Sequence, residues 1–439
     1  MSLRFGTDGV RGEAYTQLTV DFVYALGVAA ARVIGGDHYL IGRDTRESGP
    51  DFERALAKGL ASGGASIGLL AVVPTPAVAW LSSADDVAGA MISASHNRFS
   101  DNGVKLFAEG GLKLSDEVQD QIQIELDVLL GEVTEPSAGV VATNATDDVS
   151  RYVDAVIASV DGRKFAGTTV VLDCANGSAA QIAPAVFEEL GADVVAVATE
   201  PDGRNINDGC GSTHLEGLQA AVSEHAADFG FAFDGDADRM LAVDNLGSIV
   251  DGDQILAMCA VDLSSRGRLA GDTVVVTVMS NLGFRRAMAA VDIAVVDTKV
   301  GDRYVLEALD EGGYSLGGEQ SGHVIFREVA TTGDGLLSAL QVTDLVLRSG
   351  RSFDDIAASS MVRFPQILEN VQVVGRVSDL DVKLAPAIAN AEAELGDDGR
   401  VLIRPSGTEP LIRVMVEADT AERAAAAATM LVEAVKALR

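Results

Sequence analysis

Three times along the chain, a short unbroken apolar strand leads through a small polar loop into a helix and on to a second apolar strand. The first copy reads strand 39–43, helix 52–61, strand 66–73. The second reads 170–173, 182–190 and 193–197, and the third 274–277, 284–290 and 293–296. An apolar run without alternation needs cover on both faces, and two such runs joined by a helix pair in parallel. Each copy therefore predicts a parallel sheet with helices packed on it. Glycine closes the first two helices (Gly64, Gly191), and proline follows the next strand ten residues later in both (Pro74, Pro201). These are ordinary stop signals. A chain of 439 residues has room for about three or four cores of this size.

The joints are the polar, irregular stretches 131–150, 244–253 and 349–364. Cutting there gives three α/β domains, 1–150, 151–248 and 249–364, and a last domain, 365–439, with a different pattern. It reads strand 371–374, helix 385–394, strands 401–404 and 412–417, then an Ala-rich helix from Ala421. Two successive strands without a helix between them predict an antiparallel sheet, hence a small α+β domain.

Acidic residues outnumber basic ones 65 to 33, a net charge of −32. Phosphate backbones and anionic lipid need a basic footprint, so nucleic acid and membrane surfaces are excluded as general partners. An anionic substrate needs local Arg, Lys or a metal to overcome the repulsive field. Cys174, Cys210 and Cys259 are widely spaced with no CxxC pair, which predicts a reducing, cytoplasmic setting and no disulfide scaffold. No apolar run approaches the ~18 residues of a membrane span, and no signal-peptide pattern precedes Arg4 and Asp8.

Four motifs can carry chemistry. In Phe231-Ala-Phe-Asp-Gly-Asp-Ala-Asp-Arg239 a strand ends in Asp234, Asp236 and Asp238 at alternate positions. Three carboxylates so close suit a hard divalent cation, Mg²⁺ ahead of Ca²⁺ where a phosphate also ligates. An EF-hand fails, since its sixth and twelfth positions hold Arg239 and Asn245. A haloacid-dehalogenase-type phosphatase with Asp234 as nucleophile and Asp236 as acid fits the spacing, and so does a solvated acidic turn. Ile92-Ser-Ala-Ser-His-Asn97 presents Ser95 on a polar loop. His96 is a poor base for it, because consecutive side chains of an extended segment point apart. With no GxSxG elbow, a Ser-His-Asp hydrolase is disfavoured and a plain loop fits as well. Gly317-Gly-Glu-Gln-Ser-Gly-His323 lets backbone approach a polyhydroxy ligand, with Glu319, Ser321 and His323 as polar groups, or is a turn with a core histidine. Arg404-Pro-Ser-Gly-Thr-Glu-Pro410 with Arg413 makes a nest of N–H groups and hydroxyls between two guanidiniums, suited to an anion, or is a structural turn. No P-loop and no GxGxxG occurs.

Taken in order, SASHN, DGDADR, GEQSGH and RPSGTEP, preceded by Phe5-Gly-Thr-Asp-Gly-Val-Arg-Gly12, the chain resembles the α-D-phosphohexomutase family from end to end. The resemblance implies three related α/β domains and a C-terminal α+β domain around a central active-site cleft. It implies a phosphoserine at Ser95, with Asp234, Asp236 and Asp238 holding one Mg²⁺ together with a phosphate oxygen on Ser95. Arg11, Lys105, Arg239 and His323 fall at positions facing the reacting centre, with acid–base or charge-stabilising roles. His96, Glu319 and Ser321 would contact substrate, and Arg404, Ser406, Gly407, Thr408 and Arg413 would grip the phosphate that is not transferred. One departure is Ala237, where many members have Gly. The implied substrate is a hexosamine phosphate, glucosamine 6-phosphate going to glucosamine 1-phosphate through a bound 1,6-bisphosphate for amino-sugar nucleotide and cell-wall synthesis. A glucose or mannose phosphate mutase of the same fold, and a Mg-dependent phosphatase, are the alternatives. A homodimer is the candidate assembly.

Overall fold

The computed structural model describes residues 3–6, 9–131, 142–373, 379–405 and 411–438. They fall in two compact units, the first made of Met1–Met279 with Ile293–Ser359 and the second of Ser280–Asp292 with Ser360–Arg439.

The first unit holds three sheets. From edge to edge, the first runs Val10–Glu13, Asp101–Ala108, Ala88–Ile92, His38–Arg43, Ser66–Val72 and Ala142–Asn144. The second runs Ile249–Val250, Met240–Asp244, Phe229–Phe233, Thr169–Asp173 and Asp193–Val197. The third runs Ala294–Thr298, Thr273–Thr277, Leu316–Gly318 and Val324–Phe326. The three expected strand–helix–strand copies are present, with helices Gly49–Ser62, Ile182–Glu189 and Leu282–Ala290 between the paired strands. Gly64 and Gly191 follow their helices at φ +99° and +92°, a left-handed geometry that ends a helix.

The expectation of purely parallel sheets is corrected. In each sheet the first strand of the copy lies between two parallel neighbours, and the outer one of these turns into an antiparallel strand. The reason is loop length. A parallel return needs a crossover of about a dozen residues or more. The chain from 93 to 100, 234 to 239 and 319 to 323 is too short for that, so the next strand can only come straight back. SASHN, DGDADR and GEQSGH are these three returns, each at the same topological place in its own sheet.

All three joints are more structured than their composition suggests. Ile249–Val250 adds an edge strand to the second sheet before Asp251 and Gln254 form a capping box on helix Gly252–Ser265. Stretch 349–364 contains the helix Phe353–Ser360, and the end of 131–150 supplies Ala142–Asn144, parallel to Ser66–Val72. Residues 132–141 lie outside the described ones. Central strands are buried on both faces: every residue of Phe229–Phe233 is buried, and the rings of Phe229 and Phe231 pack 5.3 Å apart.

The second unit is an antiparallel sheet, Gln366–Gln372, Leu411–Ala418 and Gly399–Pro405 in spatial order, with helices Leu380–Leu395 and Ala421–Lys436. Its first strand starts five residues before the expected 371, and Val374 lies outside the described residues. Helix Leu282–Ala290, read in sequence as part of the third α/β copy, clusters with this unit. Among the ties is Glu417, wholly buried, whose carboxylate accepts from Asn281 Nδ2 (3.1 Å), the Leu282 N–H (3.1 Å) and Arg400 Nε (2.9 Å).

Candidate active site

Two of the three return loops meet in the first unit. Ser95 Oγ donates to Asp234 Oδ2 at 2.5 Å, joining the serine loop of the first sheet to the acidic loop of the second. Ser95, Asp234, Asp236 and Asp238 are all buried. The three carboxylates present oxygens within 4.8 Å of one another. Lys105, on the strand after the serine loop, bridges Asp236 Oδ2 (2.8 Å) and Asp238 Oδ2 (2.7 Å), and Thr75 donates to Asp236 Oδ2 at 2.5 Å. Asp236 Oδ1 is buried with no hydrogen-bond partner among the described residues. Burial, then Asp238 and Asp236, push the Asp234 carboxyl well above the carboxylate range, with Arg239 and Ser95 opposing. An all-oxygen donor set, mutual repulsion and an orphaned buried oxygen fit a hard divalent cation.

Local backbone makes this approach possible. Gly235 stands where a Cβ would fall 2.7 Å from the Ser95 carbonyl oxygen, so only glycine lets the two loops touch. Ala237 turns the acidic loop at φ +55°, the left-handed region that glycine enters at no cost.

The expectation that His96 points away from Ser95 is overturned. Ser95 is not extended but sits at φ +54°, and His96 Nδ1 comes to 3.3 Å from its Oγ. Arg239 Nη1 also approaches Nδ1, at 3.1 Å. Burial, with Arg239 and Arg11 adding repulsion, depresses the His96 pKa to about 4. The ring is therefore neutral near pH 7, and its Nδ1 lone pair faces the guanidinium.

Beside the acidic loop lies a cavity of about 380 Å³ lined by Arg11 and Arg239 with Asp302 and Glu319. Glu319, in the third return loop, accepts from the Gly301 N–H at 3.3 Å. Burial raises its carboxyl, against the pull of Arg239. Ser321 is exposed and His323 buried, and neither lines this cavity. His323 sits one layer back, with Nε2 accepting from the Gly333 N–H at 3.2 Å and lying 3.5 Å from Asp302 Oδ2. Lys113 Nζ also bonds Asp302.

In the second unit, Arg404 and Arg413 stand opposite each other on adjacent antiparallel strands. Burial, then the charge of Arg413, lowers the Arg404 pKa, and Arg413 Nε is buried with no partner among the described residues. Two guanidiniums held together in this way suit an anion. Ser406, Gly407 and Thr408 lie outside the described residues.

Sequence reasoning passed over Arg46, Thr75, Asn207 and Asp302. A signal existed: all four follow the carboxyl ends of parallel strands, where open α/β sheets gather their ligands.

Family models described as phosphoglucomutase/phosphomannomutase domains I, II, III and IV match residues 2–128, 150–247, 251–364 and 360–434. A phosphoglucosamine mutase of Saccharopolyspora erythraea is 52% identical, with all of both chains covered. Another from Nocardioides sp. is 53% identical over 99% of each. Among solved structures, a phosphoglucomutase/phosphomannomutase family protein from Burkholderia thailandensis matches with TM-score 0.81 at 25% identity, covering 98% of this chain and 97% of that one. The N-acetylphosphoglucosamine mutase of Aspergillus fumigatus, solved with GlcNAc-6P and magnesium, shares the fold at TM-score 0.72 and 19% identity over 100% and 96%. No helix among the described residues is long and apolar enough to cross a membrane. With full-length relatives half identical to it and four models in unbroken order, the chain belongs to the phosphoglucomutase/phosphomannomutase family, the α-D-phosphohexomutases.

Proposed function

We propose that the chain interconverts glucosamine 6-phosphate and glucosamine 1-phosphate, with Ser95 as the phosphoryl carrier. The observation that carries this reading is the 2.5 Å contact between the Ser95 hydroxyl and the buried Asp234 carboxylate, beside an arginine-lined cavity. The half-identical relatives supply the sugar. In the first half-reaction, sugar O1 attacks the phosphorus on Ser95, the Oγ–P bond breaks, and the proton O1 loses ends on Ser95 Oγ. In the second, Ser95 Oγ attacks the phosphorus on O6, and the proton Oγ gives up ends on O6 as it leaves. Transfers of this kind need in-line positioning and neutralised oxygens more than covalent help. Lys105 and Arg239 bring positive charge to the reacting centre, while neutral His96 offers its ring edge to Ser95. Asp234, Asp236 and Asp238 would hold Mg²⁺, which when bound supplies a Lewis acid to the phosphoryl oxygens.

Glu319 on the cavity wall suits the 2-ammonium of glucosamine through a charge-assisted hydrogen bond. His323 lies behind that wall, held by the Gly333 N–H, and Arg11 faces it from the first sheet. Arg404 and Arg413 are the candidates for holding the phosphate that is not transferred. The four-domain division at 150, 248 and 364 belongs to the same reading, each domain carrying one motif. The test is intact-mass and turnover analysis of wild type and Ser95→Ala on glucosamine 6-phosphate, with glucose 1-phosphate and mannose 1-phosphate in parallel. Wild type is expected to carry one phosphate and the variant neither phosphate nor activity. Equal turnover, or phosphate mapped to Asp234, would replace the mutase with a phosphatase.

A further inference from the structure

Ser95 carries a side chain yet is held at φ +54°, a left-handed conformation that persists only where its surroundings enforce it. Two side chains from different sheets do so. Arg46, wholly buried after the strand His38–Arg43, donates Nη2 to the carbonyls of Ser95 and Asn97, both at 2.9 Å. Its Nη1 donates to the carbonyl of Asp101 at 2.9 Å and to that of Arg98. Asn207, buried in the loop after Asp193–Val197, donates Nδ2 to the same two oxygens, Ser95 at 2.9 Å and Asn97 at 3.0 Å. Each carbonyl is gripped twice. The Ser95 N–H is tied as well: it donates to Ser93 Oγ (2.8 Å), Ser93 donates to Asp44 Oδ2 (2.6 Å), and that oxygen accepts from Arg46 Nε (2.9 Å). Both polar backbone groups of Ser95 therefore lead back to Arg46.

We propose that Arg46 and Asn207 are positioning residues for the phosphoryl transfer, a clamp on the Ser95 and Asn97 carbonyls that fixes Ser95 Oγ against the acidic loop. This rests on the reading of Ser95 as phosphoryl carrier. Neither side chain touches Oγ. Their part follows from the two half-reactions: the sugar must present O1 and then O6, while the serine must meet both along the same line. A serine held by substrate contacts would lose its restraint when the sugar turns. One held by Arg46 and Asn207 keeps it. Asn207 also stands where a Cβ on Gly235 would fall 2.9 Å from its Nδ2, so the same amide spans the serine and acidic loops.

The test uses the full-length enzyme, charged with the hexose 1,6-bisphosphate and assayed on glucosamine 6-phosphate. Asn207→Ala deletes one grip and leaves the buried Arg46–Asp44 pair intact. Arg46→Lys keeps the charge but cannot span the same carbonyls. In Asn207→Ala, kcat is expected to fall by on the order of tenfold to a hundredfold, the scale of a misplaced reacting group, with KM and Tm held. Arg46→Lys should show the same split wherever it folds. Wild-type kcat in Asn207→Ala overturns the clamp, as does a loss of kcat that merely follows the folded fraction. Intact mass separates the two readings. Wild-type enzyme that never carries phosphate on Ser95 overturns the carrier assignment, whereas phosphorylated and fully active Asn207→Ala overturns the clamp alone.

Discussion

Replacing Asp334 with Asn should make the enzyme more stable at neutral pH and remove a pH dependence the wild type shows. Asp334 is buried, caps helix Gly335–Ser349 through the Leu337 N–H at 2.9 Å, and accepts from the Tyr152 hydroxyl at 2.9 Å. Burial lifts its carboxyl from 3.8 to about 6, only partly offset by those hydrogen bonds. A folded-state pKa above the unfolded one contributes stability below the unfolded value, and that stability is lost as pH rises through the folded value. The shift corresponds to about 3 kcal/mol, of which about 2 falls between roughly pH 4.5 and pH 7.5. Asn keeps the shape, accepts from Leu337 as the carboxylate does and has no proton to lose. Trp80, the single tryptophan, lies 6.5 Å edge-on to Tyr152, so its fluorescence reads this junction directly during urea unfolding. The difference in stability between wild type and Asp334→Asn should widen in the variant's favour by about 2 kcal/mol across that pH interval. Parallel pH profiles would refute the reasoning, because the buried carboxyl would then titrate alike in both states.

Two further outcomes follow from the acidic loop. Chelation should lower kcat by on the order of a hundredfold or more, with Mg²⁺ restoring it, and full activity in excess chelator would refute the metal assignment. Ala237→Gly should be neutral to stabilising by about 1 kcal/mol in thermal unfolding, since relief of the left-handed strain slightly outweighs the added chain entropy. Clear destabilisation would show that the buried Ala237 methyl contributes more through packing than its backbone strain costs.

Fold and chemistry were not equally visible in the sequence. Strand 193–197 matches the observed bounds, and most other strands of the three copies lie within two residues of them, because unbroken apolar runs have few alternatives. The antiparallel returns were missed because periodicity marks a strand but not its direction. The length of the loop before it carries that information. Ser95 and the three aspartates could be picked out, since closely spaced polar residues at a strand end are conspicuous. Arg46 and Asn207 could not. Arg46 looks like a charged surface residue in Arg43-Asp-Thr-Arg46, and only the tertiary structure shows that its guanidinium faces backbone carbonyls some fifty residues away. His96 was misjudged for a related reason, since the backbone angle that swings it toward Ser95 is set by those same distant donors.

One physical constraint ties these observations together. A loop of five to eight residues between two strands of one sheet forces an antiparallel return, and each motif of the first unit lies in such a loop. Short returns leave little chain entropy to remove, so a few side chains suffice to fix them. The acidic loop is fixed by Lys105 from the first sheet, by Thr75 at the start of helix Thr75–Asp85, and by the Gly335 N–H on the Ala237 carbonyl from the helix after the third sheet. The serine loop is fixed by Arg46 from its own sheet and Asn207 from the second. Both loops thus take at least one restraint from a neighbouring domain, and the serine–aspartate contact forms only where domains of the first unit pack. If Ser95 is the phosphoryl carrier proposed above, a carrier built this way is incomplete in any single domain. Separated domains would carry the motifs without the geometry that makes them reactive.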